Sequence, residues 1–249
     1  MTDYMMQVEN LDKYFLAKNG SPFAALSKVS FGLKRGECLG IVGESGCGKS
    51  TLAQIVCGLL RPTSGQLYWE GQVISEKERR PYPQIQLVFQ SPLTSFDTRQ
   101  TMGNSVSEGL RYRHRSPSQI EEQIDRLMEQ CGLARELLER YPYEISGGQC
   151  QRLALVRALT MQPELLICDE ITSSLDVRVQ KQLMEFLLEL QESQGLSFIF
   201  ISHDLALVQQ FCNQLLIMQH GAIVEAGATQ QIIAKPQTEY TRALIEATL

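Results

Sequence analysis

Several things are scarce in this 249-residue chain, and each scarcity narrows what it does. No stretch of 18 consecutive apolar residues occurs, and no charged segment followed by an apolar one opens the sequence. The expectation is a chain that neither spans a membrane nor carries a secretory signal, and that stays in the cytoplasm. Basic residues are outnumbered, with 23 Lys and Arg against 28 Asp and Glu, and the net charge of -5 is the opposite of the basic footprint of a dedicated nucleic-acid binder. Histidine occurs only three times, at distant positions, and the seven cysteines form no Cys-x-x-Cys pair. That spacing fits reduced thiols rather than a disulfide framework or a zinc site. What remains is ordinary: 43% hydrophobic and 20% charged residues describe a globular chain able to bury a sizeable core.

Against that background one segment stands out. Gly43-Glu44-Ser45-Gly46-Cys47-Gly48-Lys49-Ser50-Thr51 satisfies the phosphate-loop pattern of Gly, four residues and Gly-Lys-Ser. Its glycines let backbone N–H groups turn inward around an anion, and the helix that follows aims its positive end at the same point. Lys49 is placed to reach the outer phosphates of a nucleoside triphosphate, and Ser50 offers a hydroxyl to Mg²⁺, a cation that prefers oxygen ligands. The apolar run Cys38 to Val42 before the loop reads as a strand, and Leu52, Ile55, Val56 and Leu59 behind it fall at helical spacing. Cys47, at a helix N-terminus, is expected to be a reactive thiolate that bound nucleotide shields.

The rest of the chain fits around this strand, loop and helix. Apolar and polar positions alternate around Val8, Leu11 and Phe15, break at Asn19-Gly20-Ser21-Pro22, and resume through Leu26, Val29, Phe31 and Leu33, predicting an antiparallel hairpin. Gln66 to Glu70 reads as a short strand, Glu76 to Pro83 as a loop, and Gln84 to Phe89 as strand again. From 91 to 158 the pattern turns helical, with Ser116 capping a helix that Pro117 opens and Gly132 stops. Strands are predicted at Leu165–Asp169, 197–202 and 215–218, with a helix striped by Val179, Leu183, Phe186, Leu187 and Leu190 between the first two. Strands alternating with helices predict an α/β fold with a mainly parallel sheet.

Two further segments bear on chemistry. Leu165 to Glu170 is an apolar strand ending in adjacent carboxylates, and ligands gather at the carboxyl ends of parallel strands. Asp169 suits a Mg²⁺ role, and Glu170 suits a base that takes a proton from an attacking water. Ile145-Ser146-Gly147-Gly148-Gln149 precedes a helix with Leu153, Val156 and Leu159 on one face, a second anion site at a helix N-terminus. Two phosphate-binding loops with one set of metal-binding acids imply a nucleotide held between two chains.

Taken in order, the phosphate loop, Gln90, Ser146 to Gln149, Asp169 with Glu170, the Ser174-Leu175-Asp176 turn and His203 resemble the nucleotide-binding subunit of ABC transporters over nearly the whole chain. The resemblance implies a single nucleotide-binding domain with a P-loop (RecA-like) core at 1–90 and 159–249, an N-terminal antiparallel β subdomain, and an inserted α-helical subdomain at 91–158. It implies ATP and Mg²⁺ as cofactors, with the metal at Ser50, Gln90 and Asp169. It gives catalytic roles to Gln90, which links Mg²⁺ and the attacking water to the transmembrane partners, and to His203, which contacts the γ-phosphate, and it gives Asp176 communication across the dimer. An aromatic residue near the N-terminus is implied to stack on adenine; Phe15 matches best by spacing and Tyr14 is its rival.

Within the superfamily, Ser91 to Arg99 and the set Pro236, Tyr240, Thr241 and Leu244 resemble the ATPase subunits of peptide and nickel importers. The cysteine-bearing extension of some oligopeptide members does not follow Leu249, so the resemblance implies a nickel or metal-chelate importer subunit before a peptide one. Implied partners are two transmembrane permease subunits, a second and related ATPase chain, and an extracytoplasmic substrate-binding protein, with no nucleic acid. The implied location is the cytoplasmic face of the cell membrane. The competing readings are an exporter ATPase and a soluble ABC ATPase of DNA repair or translation.

Overall fold

A computed structural model describes every residue except 1–2, 18–19, 75–82, 113–114, 174 and 249. In chain order the strands are β1 (Met6–Leu16), β2 (Pro22–Leu33), β3 (Cys38–Val42), β4 (Ser64–Trp69), β5 (Gln72–Val73), β6 (Ile85–Val88), β7 (Leu165–Asp169), β8 (Ser197–Ile201), β9 (Gln214–Gln219) and β10 (Ala222–Ala228). The helices are α1 (Lys49–Val56), α2 (Met102–Tyr112), α3 (Pro117–Gln130), α4 (Gly147–Thr160), α5 (Val177–Gln194), α6 (Leu205–Phe211), α7 (Thr229–Ala234) and α8 (Glu239–Thr248). The chain divides into two compact units, 1–82 with 195–249, and 83–194.

In the first unit, β1 pairs antiparallel with β2 and with β4, and β5 extends β4, giving the order β2-β1-β4-β5. Alternation along β1 puts Met6 and Val8 inside, and a register shift around Asn10, whose φ is 47°, returns Leu11 to the buried side. β3 runs parallel to β8 on one side and β9 on the other, and β10 returns antiparallel to β9. All five residues of β3 are buried, as are all five of β8, which is why both read as unbroken apolar runs. α1 buries Leu52, Ala53, Ile55 and Val56, and each of the larger side chains contributes about 1.5–3 kcal/mol of apolar burial.

Leu59 departs from the expectation. The helix closes at Cys57, Gly58 takes a φ of 85°, and Leu59 is 60% exposed, because a glycine in the left-handed region ends the periodicity one turn early. β10, α7 and α8 were not anticipated from periodicity at all. Asn19 and nearly all of the expected loop 76–83 lie outside the described residues.

In the second unit, β6 runs parallel to β7 in the register Ile85↔Leu165 to Val88↔Cys168. α3 begins on a reciprocal capping box between Ser116 and Gln119 and buries Ile124, Leu127 and Met128, and Gly132 follows it at a φ of 60°. Arg157 of α4 clamps the segment after Gln90. Its guanidinium donates to the Ser95 carbonyl at 2.7 Å and the Ser95 hydroxyl at 3.0 Å, and stacks 4.3 Å from the centre of the Phe96 ring. Burial pulls this guanidinium below its ordinary value.

Candidate nucleotide site

The phosphate loop is built on positions only glycine can occupy. Gly43 has a φ of 158°, and a Cβ there would lie 2.1 Å from the Met218 carbonyl oxygen. Gly48 has a φ of 107°, with the Ala25 carbonyl oxygen 2.4 Å from where its Cβ would be. These contacts wrap the backbone tightly and bring it to the start of α1, whose N-terminus has no side-chain cap. The first-turn N–H donors and the positive end of the helix dipole are therefore available to an anion.

Lys49 lies inside this turn and is 5% exposed. Its Nζ donates to the carbonyls of Gly43 at 2.7 Å and Glu44 at 2.8 Å, and sits 3.8 Å from Cys47 Sγ. Ser50 and Thr51 are half-buried on the first turn. Ser45 and Gly46 are exposed at the tip. The Cys47 side chain turns inward and is 6% exposed, so burial opposes the reactivity that a helix N-terminus alone suggests. Two later segments brace the loop from outside: the Gly221 N–H donates to the Cys47 carbonyl at 3.0 Å, and the Glu44 N–H donates to the Tyr240 hydroxyl at 3.0 Å.

Two other residues of the same unit carry sequence expectations. Phe15 is half-buried and stacks on its cross-strand neighbour Phe23, with ring centres 6.0 Å apart, and Lys13 Nζ lies 5.0 Å from the Phe15 ring centre. Tyr14 is 47% exposed, and adjacent strand residues point to opposite faces, so one sheet face cannot present both. His203 is exposed just past β8, where Asp204 caps α6 by accepting from the Leu207 N–H at 3.1 Å.

In the second unit, Asp169 ends β7 and is 4% exposed. The chain then turns sharply at Glu170, whose φ of 50° is the left-handed region. Gln90 Nε2 donates to Glu170 Oε2 at 2.6 Å, so the two residues expected to act on water are brought together. Asp176 caps α5, accepting from the N–H groups of Arg178 at 3.1 Å and Val179 at 3.0 Å. Ser174 lies outside the described residues.

Ser146 caps α4 in a reciprocal box: its hydroxyl accepts from Gln149 N at 3.3 Å, and Gln149 Oε1 accepts from Ser146 N at 3.0 Å. Gly147 has open space where its Cβ would be. Sequence reading missed the polar residues just behind this cap. Gln151, 1% exposed, donates to the Phe89 carbonyl at 3.3 Å, and Arg152 donates to the carbonyls of Cys131 and Gly132 at 3.0 and 2.8 Å. The signal was present as an adjacent polar pair near the start of a helix whose following residues, Leu153 to Val156, are all apolar.

The ABC transporter family model matches residues 26–173, more than half of the chain and including both loops. The chain belongs to the ABC transporter family. It is 40% identical over 257 residues to the oligopeptide transport ATP-binding protein OppF of Escherichia coli, covering 98% of this chain and 77% of that one. It is 39% identical over 254 residues to the dipeptide transport ATP-binding protein DppF of Haemophilus influenzae, covering 98% and 78%. Among solved structures, the dimeric post-hydrolysis state of the ATP-binding cassette MJ0796 with ADP and Pi superimposes with a TM-score of 0.84 at 25% identity, over 90% of this chain and 99% of that one. The cassette cbiO1 of Clostridium perfringens gives 0.78 at 29% identity, over 94% and 92%.

As an ABC protein the chain is an ATPase working with ATP and Mg²⁺. Its residues fit the pair. A buried ammonium held by carbonyls and sulfur among the described residues suits phosphate oxygens, and the Ser50 hydroxyl and the Asp169 carboxylate are each oxygen donors of the kind Mg²⁺ prefers. Among the described residues, no helix is long and apolar enough to cross a membrane.

Proposed function

We propose that this chain is the ATP-hydrolysing subunit of an ABC importer for peptides. The observation that carries the reading is the buried Lys49 ammonium inside a glycine turn at an uncapped helix end. The names of the relatives supply the substrate class, since the OppF and DppF proteins cited above are oligopeptide and dipeptide transport proteins. The expectation of nickel drew on the end of the chain, and these relatives lend it no support.

In this reading the backbone of 43–48 and the side chains of Lys49, Ser50 and Thr51 hold the triphosphate, and Phe15 stacks on adenine. Mg²⁺, held by Ser50, Asp169 and Gln90, would supply charge neutralisation on the phosphates. Glu170 takes a proton from the attacking water, and the Gln90 bond fixes the orientation of its carboxylate. His203 contacts the γ-phosphate. Ser146 to Gln149 close over a nucleotide held by a second ATPase chain, a different but related one, and Asp176 communicates across that dimer. We assign residues 91–158 to the helical part of a single nucleotide-binding domain. Two transmembrane permease subunits and an extracytoplasmic substrate-binding protein complete the assembly, with this chain peripheral at the cytoplasmic face of the membrane.

The test is Glu170→Gln in the assembled complex. The amide keeps the shape and the Gln90 contact but removes the base, so ATP binding persists while hydrolysis falls by about 10²- to 10⁴-fold. Turnover near that of the unmodified protein would overturn the assignment of the base.

A further inference from the structure

The C-terminal helix reaches the phosphate loop through the Tyr240 hydroxyl, which meets a peptide group that carries a second constraint. The Gly43 carbonyl and the Glu44 N–H belong to the same planar peptide unit and point to opposite sides of it. The carbonyl accepts from Lys49 Nζ at 2.7 Å on the inside, and the N–H donates to the Tyr240 hydroxyl oxygen at 3.0 Å on the outside. We propose that Tyr240 is a positioning residue for ATP binding, which holds the Gly43–Glu44 peptide in the orientation that keeps Lys49 inside the loop.

The peptide needs such a hold. Gly43 has a φ of 158° and no side chain, so its own conformational preference restrains the plane little, whereas the Lys49 carbonyl contact requires one orientation. A phenol on a rigid ring restrains it at low entropic cost, with two side-chain torsions to fix.

Tyr240 is itself anchored, which a restraining group must be. α8 starts on Thr238, whose hydroxyl accepts from the Thr241 N–H at 3.0 Å and lies 2.8 Å from the Thr241 hydroxyl. Thr241 is fully buried. Glu225 of β10 accepts from the Gln237 N–H at 2.9 Å and the Thr238 N–H at 3.2 Å. Burial pushes the Glu225 carboxyl up, and the hydrogen bonds from these residues together outweigh it and hold the group below its ordinary value. The Tyr-Thr pair thus has divided duties: Thr241 fixes the helix to the sheet edge, and Tyr240 passes that rigidity to the loop. Burial pushes the Tyr240 phenol above its ordinary value, so it stays neutral as the Glu44 acceptor.

The proposal rests on the nucleotide reading, and the experiment separates the two. Full-length protein and its Tyr240→Phe variant are compared in amide hydrogen exchange by NMR and in titrations with a fluorescent N-methylanthraniloyl ATP and Mg²⁺. Phe keeps the ring and removes the acceptor. Exchange at Glu44 is expected to speed by about three- to tenfold, the worth of one ordinary hydrogen bond, while amides of β3 keep their protection and report an intact fold. The dissociation constant and the KM for ATP rise by a similar factor, and kcat in the assembled complex stays within about twofold, since uniform binding is lost and not transition-state stabilisation. Thr241→Val, which keeps the phenol and loosens its anchor, shifts both readouts in the same direction by less. If the unmodified protein shows no saturable nucleotide signal, the nucleotide reading fails and takes the proposal with it. If the unmodified protein binds and Tyr240→Phe matches it at Glu44 and in affinity, the proposal alone is overturned.

Discussion

Two helices in this protein begin on Gly-rich loops, and they begin in opposite ways. α1 starts without a side-chain cap, on glycines whose added Cβ atoms would strike backbone carbonyls at 2.1 and 2.4 Å. α4 starts on a complete reciprocal cap, and its Gly147 faces open space. The first loop is moulded by its own protein and leaves its N–H donors for a ligand. The second satisfies its own end, and the room beside its glycine permits another surface to approach closely. Sequence alone places both under the same heading of anion site; geometry separates a helix end left open from one that its own side chains have closed.

The comparison breaks most sharply at its glycines. Gly48→Ala forces a side chain into a left-handed residue and against the Ala25 carbonyl, a strain of roughly 1–3 kcal/mol that falls on the bound geometry. ATP affinity is therefore expected to drop by about ten- to a hundredfold in titrations of the isolated chain. Gly147→Ala meets nothing within 4 Å, so the isolated chain should bind ATP within about twofold of the unmodified protein. Only the ATPase activity of the assembled complex should fall. Equal losses of affinity in the two variants would erase the distinction drawn here.

The cap of α4 sharpens the same comparison at a smaller scale. Ser146→Ala removes the acceptor for the Gln149 N–H and should cost about 1 kcal/mol of stability, read as a lowered urea midpoint at unchanged slope. Its ATP affinity in the isolated chain should not change. A Ser146→Ala protein as stable as the parent would mean that the box contributes nothing and that the serine is kept for its hydroxyl proton alone.

The uneven legibility of the sequence has the same physical origin. Buried strands such as Cys38–Val42 and Leu165–Asp169 could be read because both faces are apolar, and the Ser116 cap because its side-chain chemistry is local. Leu59 was misplaced since spacing continues past a helix that glycine has already ended. Cys47 was read as reactive because its helix position is visible in sequence and the inward turn of its side chain is not. Gln90 and Glu170 lie eighty positions apart and meet at 2.6 Å, and Tyr240 meets Glu44 across 196. Glu44 and Glu170 stand out from their own motifs and Gln90 and Tyr240 through resemblance, but no pattern within the chain announces that either pair touches.

The smallest effect lies at the far end of the brace on the phosphate loop. Burial pushes the Glu225 carboxyl up, but hydrogen bonds from Thr241, Gln237 and Thr238 together outweigh it and leave the folded pKa below its ordinary value of 4.5. A depressed carboxyl contributes stability that is fully present above the unfolded pKa and is lost as pH falls through the folded one. The acid side of the stability profile should therefore fall partly through this group, beginning near pH 4.5 and continuing below it. Glu225→Gln keeps an acceptor oxygen for one of the N–H groups and removes the titration. Its urea midpoint should be lower than that of the parent at pH 7, and the gap should narrow as pH drops below 4.5. No counterpart of this group touches the α4 cap among the described residues, where Ser146 and Gln149 are both neutral, so the Ser146→Ala deficit should stay constant over the same pH range. A Glu225→Gln deficit that is equally flat with pH would show that the carboxylate charge contributes nothing to anchoring α8, and the contrast between a titratable brace and a neutral cap would fall with it.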